Sequence, residues 1–283
     1  MASHNLAQID IDDLEIIGYS IAGEESVVAV PQLDVCFDIG KAPQQVIAIN
    51  HVLLTHGHMD HAAGIGYYLS HRNFCGLPAG TVLAPRELTE PIADIAKAWE
   101  RLDGNNVPVN LVGVKAGDEY QIKPNLFAKV FPTKHSRGSV GYTIIERRKK
   151  LKEEYLKLNS NQIVELKRQG IEIDYTLDLP LVTYFGDTNC LDFWKIDYIR
   201  KSKILIAECT FYEDEHISRA KAGRHMHINK FAELLEKMEN EHIIVTHTTQ
   251  RTGMGQVKRM LKKNLPAEIY KKMTILMDRK NIR

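Results

Sequence analysis

LLTHGHMDHAAGI, residues 53–65, places three histidines and an aspartate within six positions, directly behind an apolar run. Imidazole nitrogen and carboxylate oxygen are the ligands that zinc takes in hydrolytic sites. Gly57 and Met59 alternate with His56 and His58, which lets both histidines face one centre. Asp60 and His61 lie further round the turn and reach toward a second. The run HVLLT (51–55) is short and rich in β-forming residues, so the cluster is expected at the C-terminal end of a strand.

Six residues cannot complete two metal sites, and the missing ligands are sought at other strand ends. LFAKVFPT (126–133) leads to His135, LVTYF (181–185) leads through Gly186 to Asp187, and HIIVT (242–246) ends at His247. A histidine alone at such a place is more often structural. Together the four strand ends supply two sets of three ligands and one carboxylate free to bridge them. His51, His71, His216 and His242 stand outside these patterns and are assigned structural or solvent roles, while Asp38 is a candidate to orient a ligand histidine.

Further strand-like runs are SVVAV (26–30), DVCFDIG (34–40), VGYTII (140–145) and KILIAE (203–208). TEPIADIAKAWERL predicts a helix capped by Thr89, with Ile92, Ile95, Ala96, Trp99 and Leu102 on one face and Asp103-Gly104 as its stop. A second helix is expected after Asn229, with Phe231, Leu234, Leu235 and Met238 facing inward. Irregular spacing of strands and helices favours an α+β arrangement of sheets covered by helices over a regular βαβ alternation.

Hydrophobic and charged contents of 44% and 26% over 283 residues are those of a globular protein. No apolar run approaches the roughly 20 residues needed to span a membrane, and the N-terminal segment lacks a signal-peptide pattern. These features predict a cytoplasmic chain, with a nuclear or organellar address left open. Cys36, Cys75, Cys190 and Cys209 have no paired spacing and are expected as buried free thiols. With a net charge of +1, a polyanion would have to be met by local patches. Residues 146–174, dense in lysine, arginine and glutamate, are either a solvated helical hairpin or a basic arm for a phosphate backbone.

The signature LLTHGHMDHAAGI, with FDIG before it, VTYFGDT and FPTKHSRGSVGYTI, resembles the metallo-β-lactamase superfamily. Within it, IIVTHTTQR and LIAECTF resemble ribonuclease Z, the endonuclease of tRNA 3′ processing, in its short form. The resemblance covers almost the whole chain. It implies an αββα four-layer sandwich of two mixed sheets, a single domain over residues 1–283, and a charged arm-like insertion near 146–178. It also implies two zinc ions, with manganese or iron as alternatives. His56, His58 and His135 would hold one ion, Asp60, His61 and His247 the other, and Asp187 would bridge them. Asp60 would also accept the proton of the attacking water.

For the departing 3′ oxygen, the resemblance implies a histidine assisted by Glu208. GRHMHINKFAELL offers two candidates, His225 and His227, and the family's His-Ser-Thr pattern is absent here. The implied substrate is precursor tRNA, cut to a 3′-hydroxyl tRNA, by a homodimer whose arm holds tRNA for the partner's site. The Gly-Pro-rich arm tip of the bacterial enzymes is missing, although Arg147, Arg148, Lys149, Lys150 and Lys152 suit phosphate contact. The alternatives are a phosphodiesterase for cyclic or small phosphodiesters on the same scaffold, and a catalytically silent binding protein. Burying so many ligand groups without a metal argues against the last.

Overall fold

The computed structural model describes residues 6–282. Its first sheet runs in chain order: β1 (Ala7–Ile11), β2 (Leu14–Ile21), β3 (Glu25–Val30), β4 (Val35–Phe37), β5 (His51–Leu53), β6 (Gly80–Pro85) and β7 (Val109–Val114). The second runs β8 (Glu119–Lys123), β9 (Leu126–Pro132), β10 (Val140–Leu151), β11 (Asp174–Tyr184), β12 (Ile204–Glu208), β13 (His242–Thr246) and β14 (Met273–Ile275). Each sheet begins as an antiparallel meander and finishes with parallel neighbours, the change falling at β4 and at β11. Both halves of the chain therefore build the same mixed scheme.

Successive strand residues face opposite sides, so a strand covered on both faces must be apolar throughout. In β3, Val28 and Val30 enter the core shared by the two sheets, while Val27 and Ala29 face outward. In β12, Ile204 and Ile206 join that shared core, and Leu205 and Ala207 turn away. The outward face of the first sheet is covered by α2 (Ile65–Phe74), behind the short α1 (Met59–Ala62), and by α3 (Thr89–Asp103). Beyond α4 (Ser160–Arg168) and α5 (Asp197–Arg200), the second sheet is covered by α7 (Ile228–Leu235) and α8 (Met254–Asn264), with α6 (Ile217–Gly223) preceding them and α9 (Ala267–Lys271) after. The result is the expected αββα sandwich of two mixed sheets.

Several local expectations are corrected. Thr89 does not cap α3: a 3-10 turn over Arg86–Leu88 leads straight into the helix, and the Thr89 hydroxyl donates back to the Arg86 carbonyl. Only Ile92 and Ala96 of its apolar stripe are buried, whereas Ile95, Trp99 and Leu102 are 45%, 41% and 76% exposed. The second helix, α7, starts at Ile228, before Asn229, and His227 caps it, its Nδ1 accepting from the Asn229 N–H. Cys36, Cys190 and Cys209 are buried free thiols, but Cys75 is exposed at the end of α2.

The charged stretch is not a helical hairpin. β10 and β11 continue in register past the sheet, Glu146 opposite Leu179 to Leu151 opposite Asp174, and α4 sits at the tip of this ribbon. Arg147 is tied to Glu119 and Asp178 at 2.8 Å each and lies over Phe127, so it braces the base of the ribbon. Arg148 pairs with Glu146 and Lys152 donates to the Glu172 carbonyl. Among the described residues Lys149 and Lys150 form no ion pair. No helix among them is long and apolar enough to cross a membrane.

Candidate active site

The ligand candidates converge from the C-terminal ends of strands in both sheets. From the first sheet come His56 and His58, just beyond β5, and Asp60 and His61 on α1. The second supplies His135 beyond β9, Asp187 beyond β11 and His247 at the end of β13. His56, His58, His135 and Asp187 bring ligand atoms within 4.8 Å of one another, as do Asp60, His61 and His247. Oδ2 of Asp187 lies at the middle, 3.7 Å from Nε2 of His56 and of His135, 3.3 Å from that of His61 and 3.4 Å from that of His247.

The backbone bends sharply to achieve this. Asp38, Gly186 and His247 all have left-handed φ angles of 52°, 60° and 55°. A β-carbon on Gly186 would stand 2.7 Å from the Thr55 hydroxyl, so only glycine lets Asp187 approach the β5 loop. The two sheets are stitched at the rim: the His247 N–H donates to the Ser20 hydroxyl and the Val140 N–H to the Thr55 carbonyl, while within the first half the Gly23 N–H donates to Asp60 Oδ2.

Hydrogen bonds fix which ring nitrogen faces inward. Thr55 spends its hydroxyl proton on Asp38, so it accepts from His56 Nδ1 at 2.9 Å. Thr210 likewise donates to Glu208 and accepts from His247 Nδ1 at 3.0 Å. His61 Nδ1 donates directly to Asp38 at 2.7 Å, and His135 Nδ1 faces the Arg224 carbonyl at 3.4 Å. Four imidazoles thus present Nε2 to the centre, with their other nitrogen oriented by a partner, the arrangement that metal-binding histidines adopt. Asp38 also accepts from the Thr55 N–H and the Tyr184 hydroxyl, so a buried carboxylate fixes the ring of His61, a candidate ligand.

The donor set fits a divalent metal. Buried Nε2 of His56 and of His61 and Oδ1 of Asp187 form no hydrogen bond with any described residue. Leaving such atoms unmatched costs about 1–3 kcal/mol each. Burial, reinforced by neighbouring His61, holds His56 neutral with a lone pair to offer. Burial works against the charge on Asp187, yet His247, His61 and His56 keep its carboxyl well below the usual carboxylate range. Burial also disfavours charge on His61, but Asp187 and Asp38 on either side raise its proton affinity, a demand for positive charge that a divalent cation would meet.

Beside this cluster stands the second expected element. Glu208 ends β12, fully buried, and accepts from the Thr188 and Met226 N–H groups and the Thr210 hydroxyl. Nδ1 of His225 lies 3.2 Å from Glu208 and 3.8 Å from Asp187. Burial opposes charge on His225, but the Glu208 carboxylate and Asp187 raise its pKa to about 9. His227 points elsewhere: it caps α7 and its Nε2 faces the Glu213 carbonyl at 3.2 Å. The structure therefore brings His225, and not His227, to the cluster.

Residues 32–248 match the model of the Beta-lactamase superfamily domain. The chain is 32% identical over 254 residues to tRNase Z TRZ1 of Arabidopsis thaliana, covering 88% of this chain and 90% of that one. The chain belongs to the ribonuclease Z family. It is also 34% identical over 173 residues to the nuclear ribonuclease Z of Triticum aestivum, covering 60% of this chain and 97% of that one. The fold is similar to that of human tRNase Z, short form, with a TM-score of 0.59 at 15% identity over 91% of this chain and 93% of that one. It is likewise similar to the metallo-β-lactamase fold protein YhfI of Bacillus subtilis, with a TM-score of 0.63 at 15% identity over 93% and 97% of the two chains.

Within this ribonuclease Z site, sequence patterns pass over Thr55, Tyr184, Thr210 and Arg224. Thr55 and Thr210 adjoin motif residues, and a hydroxyl beside a candidate ligand is the one signal that marks them. Arg224 has no such signal. It sits at a left-handed φ of 55°, and its guanidinium donates to the His135 carbonyl at 2.9 Å, clamping the His135 loop to the His225 loop.

Proposed function

We propose that this chain is an endoribonuclease that removes the 3′ trailer from precursor tRNA by hydrolysis, leaving a 3′-hydroxyl tRNA and a 5′-phosphorylated trailer. The observation that carries this reading is the Glu208–His225 pair standing 3.8 Å from the shared carboxylate Asp187. A proton donor placed beside a metal-type cluster suits a leaving oxygen of high basicity, such as a ribose 3′ oxygen. Relatives named tRNase Z and nuclear ribonuclease Z support the substrate.

Two zinc ions, or manganese or iron in their place, held by His56, His58 and His135 and by Asp60, His61 and His247 with Asp187 between, would supply a nucleophile at neutral pH and counter-charge for the phosphodiester. Asp60, fixed by the Gly23 N–H, takes the proton of the attacking water. Glu208 holds His225 through Nδ1, and His225 delivers a proton to the 3′ oxygen as the bond to phosphorus breaks.

The working unit we propose is a homodimer of single-domain subunits. Tyr67 and Phe74 on α2 and Ile95, Trp99 and Leu102 on α3 are exposed, and the two helices touch where Gly66 meets Ile95. An apolar surface of this kind is more typical of a subunit contact than of free solvent. The β10–β11 ribbon, whose Lys149 and Lys150 form no ion pair among the described residues, would hold tRNA outside the site. The enzyme would act in the cytoplasm or in a nuclear or organellar compartment where precursor tRNA is found.

The test is a cleavage assay of the metal-loaded protein on a precursor tRNA, with bis(p-nitrophenyl) phosphate alongside and Asp60→Ala as blank for both. Cutting just beyond the discriminator nucleotide, lost in the variant, is the expected result. Hydrolysis of the small diester with the tRNA untouched would replace the nuclease by a small-molecule phosphodiesterase.

A further inference from the structure

His225 is a wall between two cavities. On one side lies the metal-type cavity, bordered by His58, Asp60, Asp187 and His247. Behind the imidazole is a second cavity of about 390 Å³, lined by Asn189, Ile217, Lys221, His227 and Lys230. Its volume falls within the roughly 300–1,000 Å³ of small-ligand pockets. Ile217, 46% exposed, and Ala220 make an apolar floor. Neither Lys221 nor Lys230 forms an ion pair among the described residues, whereas the nearby Lys237 and Lys195 pair with Glu233 and Asp192. An apolar floor edged by amides and two unpaired ammonium groups is complementary to a nucleotide: base or ribose below, phosphate above.

Resting on the nuclease reading, we propose that this cavity receives the nucleotide on the 5′ side of the cut, the one whose 3′ oxygen departs. In the reaction a water oxygen bonds to phosphorus, the P–O3′ bond breaks, and the proton of His225 ends on O3′. The phosphate stays with the trailer on the side of Asp60 and Asp187. Whatever leaves with O3′ must adjoin His225, and the space adjoining His225 away from the cluster is this cavity. Gly223 supports the arrangement, because a β-carbon there would stand 2.9 Å from Cδ2 of the His225 ring. Lys221 and Lys230 then meet the next phosphate upstream.

The experiment measures kcat/KM of the metal-loaded full chain on precursor tRNAs carrying one abasic nucleotide, either just 5′ or just 3′ of the cut. In the wild type the 5′ abasic substrate should lose roughly 5- to 150-fold, the scale of removing one stacked base. Ile217→Trp, which fills the cavity, should lower cleavage of the intact precursor and remove the extra penalty of the 5′ abasic substrate. Lys221→Ala should weaken both substrates in KM rather than kcat. Hydrolysis of bis(p-nitrophenyl) phosphate should be unchanged in both variants, which also establishes that they fold. Penalties that multiply independently, or coupling to the 3′ abasic substrate, would overturn the subsite while leaving the nuclease intact. An intact precursor left uncut by the wild type would remove the nuclease reading and the subsite with it.

Discussion

Thr210→Val tests the link between the proton donor and the metal cluster. Valine keeps the shape of threonine and deletes one hydroxyl, which in the native chain donates to Glu208 and accepts from His247 Nδ1 at 3.0 Å. Losing a hydrogen bond to a buried carboxylate costs about 1.5–3 kcal/mol, and stranding the buried Nδ1–H of His247 costs about 1–3 kcal/mol more. The ring can escape the second cost by moving its proton to Nε2, the atom that faces Asp60 and Asp187. A protonated Nε2 cannot bind metal, so affinity should fall about 10- to 100-fold, the usual loss when an orienting partner of a ligand is removed. Cleavage should fall further than metal loss explains, because Glu208 is loosened beside His225. Thr210→Ser should restore both. The assay is a competition titration against a chromophoric chelator, with melting curves of the metal-stripped forms. Metal affinity in the valine variant equal to wild type, despite a lowered melting temperature, would refute the tautomer argument.

Asp187→Ala removes the carboxylate whose Oδ2 lies within 3.7 Å of four candidate ligand imidazoles, His56, His61, His135 and His247, and should strip metal and abolish turnover; elemental analysis with full metal content would contradict that role. His225→Ala should retain metal and slow cleavage about 10²–10⁴-fold, whereas His227→Ala should stay near wild-type activity and lose about 1 kcal/mol of stability as a deleted helix cap. The reverse pattern in the two rates would exchange their roles. Trp99→Glu on the exposed face of α3 should convert a dimer to monomer by light scattering, and an unchanged mass would move the subunit interface elsewhere. Lys149→Glu with Lys150→Glu should weaken precursor tRNA binding and flatten its salt dependence by about one unit of slope for each phosphate no longer neutralised. An unaltered salt slope would leave the ribbon without a role in holding RNA.

The residues that converge on the cluster were legible in the sequence because most of them obey a local rule. A strand buried on both faces is a continuous apolar run, and the residue just beyond its end is the one the chain turns outward. His56, Asp187 and His247 each follow such a run, whereas β9 before His135 alternates buried and half-buried residues around Lys129 and offers only a strand pattern as its signal. Strands with weaker burial escaped the same rule. β2 carries Glu15 and Gly18, β7 is largely half-exposed and β8 mostly exposed, so their apolar signal is diluted. The ribbon misled for a related reason: beyond Glu146 it has no sheet to bury against, and its Glu, Lys and Leu content mimics a helix.

The choice between His225 and His227 illustrates a different limit. Two residues apart in an extended segment, they offer the same chemistry and the same spacing to any motif. What separates them is a contact distant in sequence. Phe211, three residues past Glu208, forms a bridge with His227 and so pins that residue against the β12 loop as the helix cap. The Met226 N–H is drawn to Glu208 at 3.1 Å, and Arg224 takes the left-handed turn just before His225. With its neighbours held on both sides, the His225 ring falls between Glu208 and Asp187. Removing the hold on one side, by Arg224→Ala, should therefore misplace His225 and the His135 loop together, since the same guanidinium binds the His135 carbonyl. Loss of cleavage in that variant with metal affinity untouched would mean that the two loops are positioned independently.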